Sequence, residues 1–207
     1  MANPPPFFPV SLNLVGRRCV VIGALDDAEA IEKAAAVERS GAELLWLTDP
    51  GAVREEDLSD AFFVISTPQD AALSARLRGY ADRHRFLLCC IDQPLYGFVA
   101  MAAIARAGPV SVSIATTGLA PRVGKALRIA LQGAMDATFE RFIECLATQK
   151  ERVKRRHCAP EQSAIRRKEM IRLADGFIAD VRFTYPDWFE EELRRSLRPG
   201  VLDDGER

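Results

Sequence analysis

Asp92 closes the apolar run Phe86 to Ile91 (FLLCCI). Such a run reads as a buried parallel strand, and the residue after it lies at the edge where α/β sheets take ligands. A carboxylate there serves as a general base, or it caps a turn or a helix. Gly23 closes a second run, Arg17 to Gly23 (RRCVVIG), and is followed by Ala24, Leu25, Asp26 and Asp27. Glycine at a strand-to-helix turn allows close approach of a dinucleotide pyrophosphate, or makes the turn in any doubly wound sheet. Asp49 follows a third run; an acid there binds a ribose hydroxyl or, before Pro50-Gly51, shapes a turn. Ser66 and Thr67 end the fourth run, Asp60 to Ser66 (DAFFVIS). Thr116, Thr117 and Gly118 form a polar turn whose hydroxyls and N–H groups can hold a carboxylate, cap the helix that follows, or do both. Arg106, Lys125 and Arg128 are the cations that an α/β fold carries towards the same edge. A denser basic stretch, Lys150 to Lys168, is either a solvated helix face or a partner for carboxylates.

No metal centre is legible. His84 and His157 lack ligand spacing, and the five cysteines form neither a knuckle nor a disulfide framework. Cys89 and Cys90 are adjacent in a strand, so they face opposite sides and cannot line one pocket together.

The elements that must position these residues alternate. Strands are expected at Arg17–Gly23, Glu43–Leu47, Asp60–Ser66 and Phe86–Ile91, with helices at Ala28–Ser40 and Gln69–His84 between them. Tyr96–Ala107 reads as a helix and Val110–Ala115 as an alternating strand. Beyond Pro121 one apolar stripe, Val123, Leu127, Leu131, Met135, Phe139, Phe142 and Leu146, marks a single long helix. A short strand is possible at Val181–Thr184, and the chain from about Pro199 reads as disordered. The fold class is α/β: a reduced Rossmann-like parallel sheet, residues 1–118, followed by a helical region, residues 119–207.

The 207 residues carry a net charge of −1, which gives no electrostatic basis for nucleic-acid binding. No apolar run is long enough to span a bilayer, and Met1–Pro9 lacks the pattern of a secretory signal. The cysteine usage fits a reducing cytoplasm.

Taken in order, these segments resemble the siroheme-synthase N-terminal family of precorrin-2 dehydrogenases and sirohydrochlorin ferrochelatases. The resemblance rests on Phe8–Leu14 with Gly16-Arg17-Arg18 and the VVIG strand, on Ser66-Thr67 and on Ile91-Asp92. It continues through Phe98–Ala102 with Arg106-Ala107-Gly108 to Thr116–Pro121 with Lys125 and Arg128. It covers about Phe8 to Arg156. It implies a tetrapyrrole substrate, NAD as oxidant, ferrous iron as substrate metal, and a homodimer formed through the helical part. By the same resemblance Asp92 is the general base, and Gly23, Ala24, Leu25, Asp49, Ser66 and Thr67 form the dinucleotide side. Arg106, Thr116, Thr117, Gly118, Lys125 and Arg128 then bind the substrate.

Three departures shift the balance. The family's Gly-Gly-Gly is Gly23-Ala24-Leu25 here, in a loop about two residues longer whose Asp26, Asp27 and Glu29 repel a pyrophosphate. The stretch from Asp49 to Asp60 is short by about one strand and its connection. Ala120 stands for a serine near the tetrapyrrole, and Cys89 for an asparagine. A dinucleotide-independent metal chelatase or a tetrapyrrole carrier on the same fold is the alternative reading.

Overall fold

The structure is a computed structural model that describes residues 7–116 and 118–196. Thr117 and the tail from Pro199 lie outside the described residues.

Four apolar runs form one parallel sheet. β1 (Arg18–Ile22), β2 (Glu43–Leu47), β3 (Phe63–Ser66) and β4 (Leu87–Cys90) pair in the order β2-β1-β3-β4. Runs without polar alternation suit strands covered on both faces. The covers are α1 (Ala28–Arg39) and α2 (Ala71–His84). Asp70 starts α2 by accepting the Ala72 and Leu73 N–H groups at 2.8 and 3.1 Å. Gly41, at φ +77°, turns the chain from α1 into β2.

Strand alternation sorts the core into two layers. Val20, Ile22, Val64, Leu88 and Cys90 face Leu73, Leu77 and Ala81 of α2. Cys19, Val21, Phe63, Ile65 and Cys89 face Ala30, Ala34 and Val37 of α1. The adjacent cysteines therefore lie on opposite faces, as the strand period requires.

Between β2 and β3 the chain makes only two single 3-10 turns, Pro50–Ala52 and Glu55–Asp57. They drop Val53 and Leu58 into the α2-side layer. Glu55 fastens this connection to the end of α2: Arg83 grips its carboxylate with two bonds of 2.8 Å, and the His84 ring lies 2.7 Å away.

Three expectations fail beyond β4. Tyr96–Ala107 is not a helix. Its first part is a loop folded back on β4, where the Phe98 and Val99 N–H groups both donate to the Leu88 carbonyl, at 2.8 and 3.0 Å. Gly97 permits this approach, because a Cβ there would lie 3.0 Å from the same carbonyl oxygen. Its last part is β5 (Ala103–Ala107), which pairs antiparallel with β6 (Val110–Ile114) as a separate two-stranded sheet. Gly108, at φ +53°, and Pro109 supply the two-residue hairpin turn.

The long helix is also two. α3 (Pro121–Ala134) ends at Met135, and α4 (Ala137–Arg156) starts afresh. Asp136 makes the break, because its Oδ1 accepts the Phe139 N–H at 2.9 Å as a cap does. The apolar stripe reads through this break because a cap residue falls on its polar side. α3 packs on the β5–β6 hairpin, where the Gln132 side chain brackets Arg106: its oxygen accepts the Arg106 N–H at 3.0 Å and its amide donates to the Arg106 carbonyl at 2.7 Å. The side-chain amide stands in for a neighbouring strand.

Contacts divide the chain into two compact units between Ile143 and Glu144, within α4. The second unit also holds α5 (Ser163–Leu173) and α6 (Asp187–Ser196). There His157 meets Glu169 at 3.0 Å, and Arg166 bonds the carbonyls of His157 and Ala159 at 2.6 and 2.8 Å. Val181–Thr184 forms no strand. No helix among the described residues is long and apolar enough to cross a membrane.

Leu77 is fully buried between α2 and the sheet. Leu77→Ala should lower the unfolding free energy by about 2–5 kcal/mol in urea titration; a smaller loss contradicts this packing. The hydrogen bonds from Arg83 and then His84 hold the Glu55 carboxyl down to about 2. Because the folded value is depressed, the stabilisation is complete above the ordinary glutamate range and is lost as pH falls towards 2. Thermal melting of the wild type should therefore fall more steeply than that of Glu55→Gln over this acid window; parallel curves would contradict the contact.

Candidate functional site

The carboxyl ends of β1, β3 and β4 place Gly23, Thr67 and Asp92 at one edge of the sheet. Both backbone groups of Gly23 are engaged: its N–H donates to Leu47 at 3.1 Å, and its carbonyl accepts the Trp46 indole N–H at 2.8 Å. Glycine is required here for packing. A Cβ would sit 2.6 Å from the Ala30 Cβ and would also overlap the Thr67 hydroxyl. Ala24 and the exposed Leu25 follow in the turn.

The N-terminus of α1 is already liganded. Asp27 Oδ1 accepts the Glu29 N–H at 2.9 Å, and Asp27 Oδ2 accepts the Thr67 hydroxyl. The Thr67 bond, ahead of the helix amides, holds the Asp27 carboxyl below the ordinary aspartate range, so it is anionic at neutral pH. Lys33 does not offset that charge, since it pairs with Glu29 at 2.7 Å and Glu32 at 3.2 Å. These residues do not fit a dinucleotide pyrophosphate, which needs open N–H groups and no competing anion.

Ser66 and Thr67 part company. Ser66 continues the alternation of Val64 towards α2, and its Oγ is buried with no hydrogen-bond partner among the described residues. Thr67 turns to Asp27. Asp49 caps the first 3-10 turn, with Oδ1 accepting the Gly51 N–H at 2.9 Å. Cys89 is buried, and burial pushes its thiol up to about 12. It is neither nucleophile nor ligand at neutral pH.

Asp92 sits differently. It is exposed and takes φ +56°, a left-handed conformation uncommon for a residue with a side chain. Gln69 Nε2 donates to its Oδ2 at 3.1 Å, while Oδ1 takes no hydrogen bond among the described residues. The loop beyond it is anchored by Arg78, whose guanidinium stacks 3.9 Å over the Phe98 ring and reaches the Tyr96 carbonyl at 3.4 Å. A strained turn on a pinned loop presents one carboxylate oxygen to solvent.

The candidate cations lie elsewhere in the same unit, on β5 and α3. Gln132 holds β5 against α3, which places Arg106 beside a helix whose Lys125 and Arg128 are spaced onto the Gln132 side. Arg122 extends that stripe by one turn. No carboxylate pairs with any of the four among the described residues. Thr116 packs against Gly124, where a Cβ would lie 3.2 Å from its methyl carbon. Gly118 takes φ +77°. Ala120, at the N-cap of α3, makes no side-chain cap hydrogen bond. Thr117 lies outside the described residues. No group of three or more His, Cys, Asp or Glu among the described residues is arranged to hold a metal ion.

Sequence reasoning missed Gln69, Trp46 and Gln132. Each acts through a contact 23 to 26 residues away in the chain, which no local pattern marks.

No protein-family model matches the chain. Among curated proteins it is 28% identical to a siroheme synthase of Nitrosospira multiformis, over 94% of this chain and 46% of that protein. It is 25% identical to the siroheme synthase of Hahella chejuensis, over 86% of this chain and 41% of that protein. Siroheme synthase 1 of Serratia proteamaculans is 31% identical across 54% of this chain and 23% of its own length. The chain thus spans less than half the length of these relatives. Among solved structures, SirC, a precorrin-2 dehydrogenase, superposes with a TM-score of 0.66 at 18% identity, covering 82% of this chain and 90% of SirC. The chain is a homologue of the siroheme-synthase N-terminal region and has the fold of SirC.

Proposed function

We propose that this chain is a tetrapyrrole enzyme that inserts a divalent metal, ferrous iron in the family's chemistry, without using a dinucleotide. The observation that carries this reading is Asp92, held in a left-handed turn with one carboxylate oxygen bonded by Gln69 and the other open. Inserting a divalent metal into a tetrapyrrole such as sirohydrochlorin displaces two pyrrole N–H protons. Asp92 accepts them one at a time through its open oxygen and passes each to water. Gln69 fixes the carboxylate by donating to it.

Tetrapyrroles of this class carry several carboxylates. Arg106, Arg122, Lys125 and Arg128 supply cations for them, and the sequence Thr116-Thr117-Gly118 ahead of α3 adds hydroxyls. Residues 119–207 form the tetrapyrrole-side and dimerising part in this reading. The reading includes no dehydrogenase step, because the α1 N-terminus does not fit a pyrophosphate. A carrier that holds the tetrapyrrole for another enzyme would use the same cations and leave Asp92 idle.

Asp92→Asn should slow ferrous or cobaltous ion insertion into sirohydrochlorin about 10²–10⁴-fold, followed by anaerobic absorbance without dinucleotide. An unchanged rate removes Asp92 from the chemistry. A Lys125→Ala, Arg128→Ala double variant should raise KM with kcat largely kept; unchanged KM would place the carboxylates elsewhere.

A further inference from the structure

We propose that the Asp27 carboxylate is a built-in substitute for a dinucleotide pyrophosphate, so that the first β–α crossover of this chain ligates itself. The start of a helix after the first strand of such a sheet offers amide donors and a favourable dipole to an anion. Here the anion belongs to the chain. One oxygen of Asp27 takes the Glu29 N–H at 2.9 Å, and the other takes the Thr67 hydroxyl delivered from the end of β3. A donor from the helix and a donor from the neighbouring strand converge on one carboxylate, as they would on a bound phosphate.

Space and charge agree with this. The Gly23 face that a ligand would approach is filled by Ala30, within 2.6 Å of a notional Cβ, and by Thr67. Trp46 anchors the Gly23 carbonyl at 2.8 Å, so the turn cannot simply swing open. Asp26 adds negative charge in the same turn, and the nearby Lys33 is bound to Glu29 and Glu32. An intramolecular carboxylate also loses no translational freedom on binding, which a free dinucleotide must. The inference stands apart from the tetrapyrrole reading, since it concerns only residues 22–67.

The test compares wild type, Asp27→Gly and Asp27→Asn. Each is titrated with inorganic pyrophosphate and with NAD, read by the Glu29 amide chemical shift and by thermal melting. Wild type should respond to neither ligand. Asp27→Gly frees the amides and removes the charge, and should bind pyrophosphate at least about tenfold more tightly than wild type. Asp27→Asn keeps a capping oxygen and loses only the charge. It should bind between the two, and it carries the comparison if the glycine variant folds poorly. Saturable movement of the wild-type Glu29 amide with NAD would overturn the proposal, and so would variants that gain nothing. A parallel tetrapyrrole titration of the same wild-type sample reports separately on the metal-insertion reading.

Discussion

The tie between Asp27 and Thr67 sets the character of the ligand edge. β1 and β3 are neighbours in the sheet, and their carboxyl ends bring the α1 turn and Thr67 together. The tie needs glycine at 23, because any side chain there would meet Ala30 and Thr67. It also needs both strands in register, which the buried layers on either side enforce. One carboxylate therefore caps a helix, joins two crossovers and places a negative charge where this fold usually accepts one.

Much of the architecture was legible. Each parallel strand was a run of apolar residues ending at a polar or glycine position, and α1 and α2 were legible from helical spacing, though their caps, Asp27 and Asp70, were not read as such. The connection between β2 and β3, short beside the family it resembles, folds as two 3-10 turns. What was not legible depended on distant partners. Ala103–Ala107 carries weak local preference, and the pairing with Val110–Ile114 decides its state. The break at Asp136 was hidden because a capping aspartate does not interrupt an apolar stripe on the opposite face. Asp92 was visible as the end of a strand, but its positive φ and its bond to Gln69 were not. Asp27 was visible as misplaced charge, while its partner Thr67, 40 residues on, was not.

These features give the first unit two kinds of surface. At the start of α1 the Glu29 N–H and the Thr67 hydroxyl are taken by Asp27, and its charge and the packing at Gly23 oppose a second anion. Around Asp92 and α3 the reverse holds: a carboxylate keeps an open oxygen, a helix start lacks a capping side chain, and four cations have no acidic partner among the described residues. The same inherited fold thus closes one ligand position and leaves another available.

The most direct measurement is the anaerobic absorbance spectrum of precorrin-2 mixed with the purified protein, with and without NAD. The account predicts a spectral shift on mixing that is the same in both samples, with no conversion to sirohydrochlorin in either. Conversion that appears only when NAD is present would contradict it, because the α1 turn would then have to release Asp27 and accept the dinucleotide.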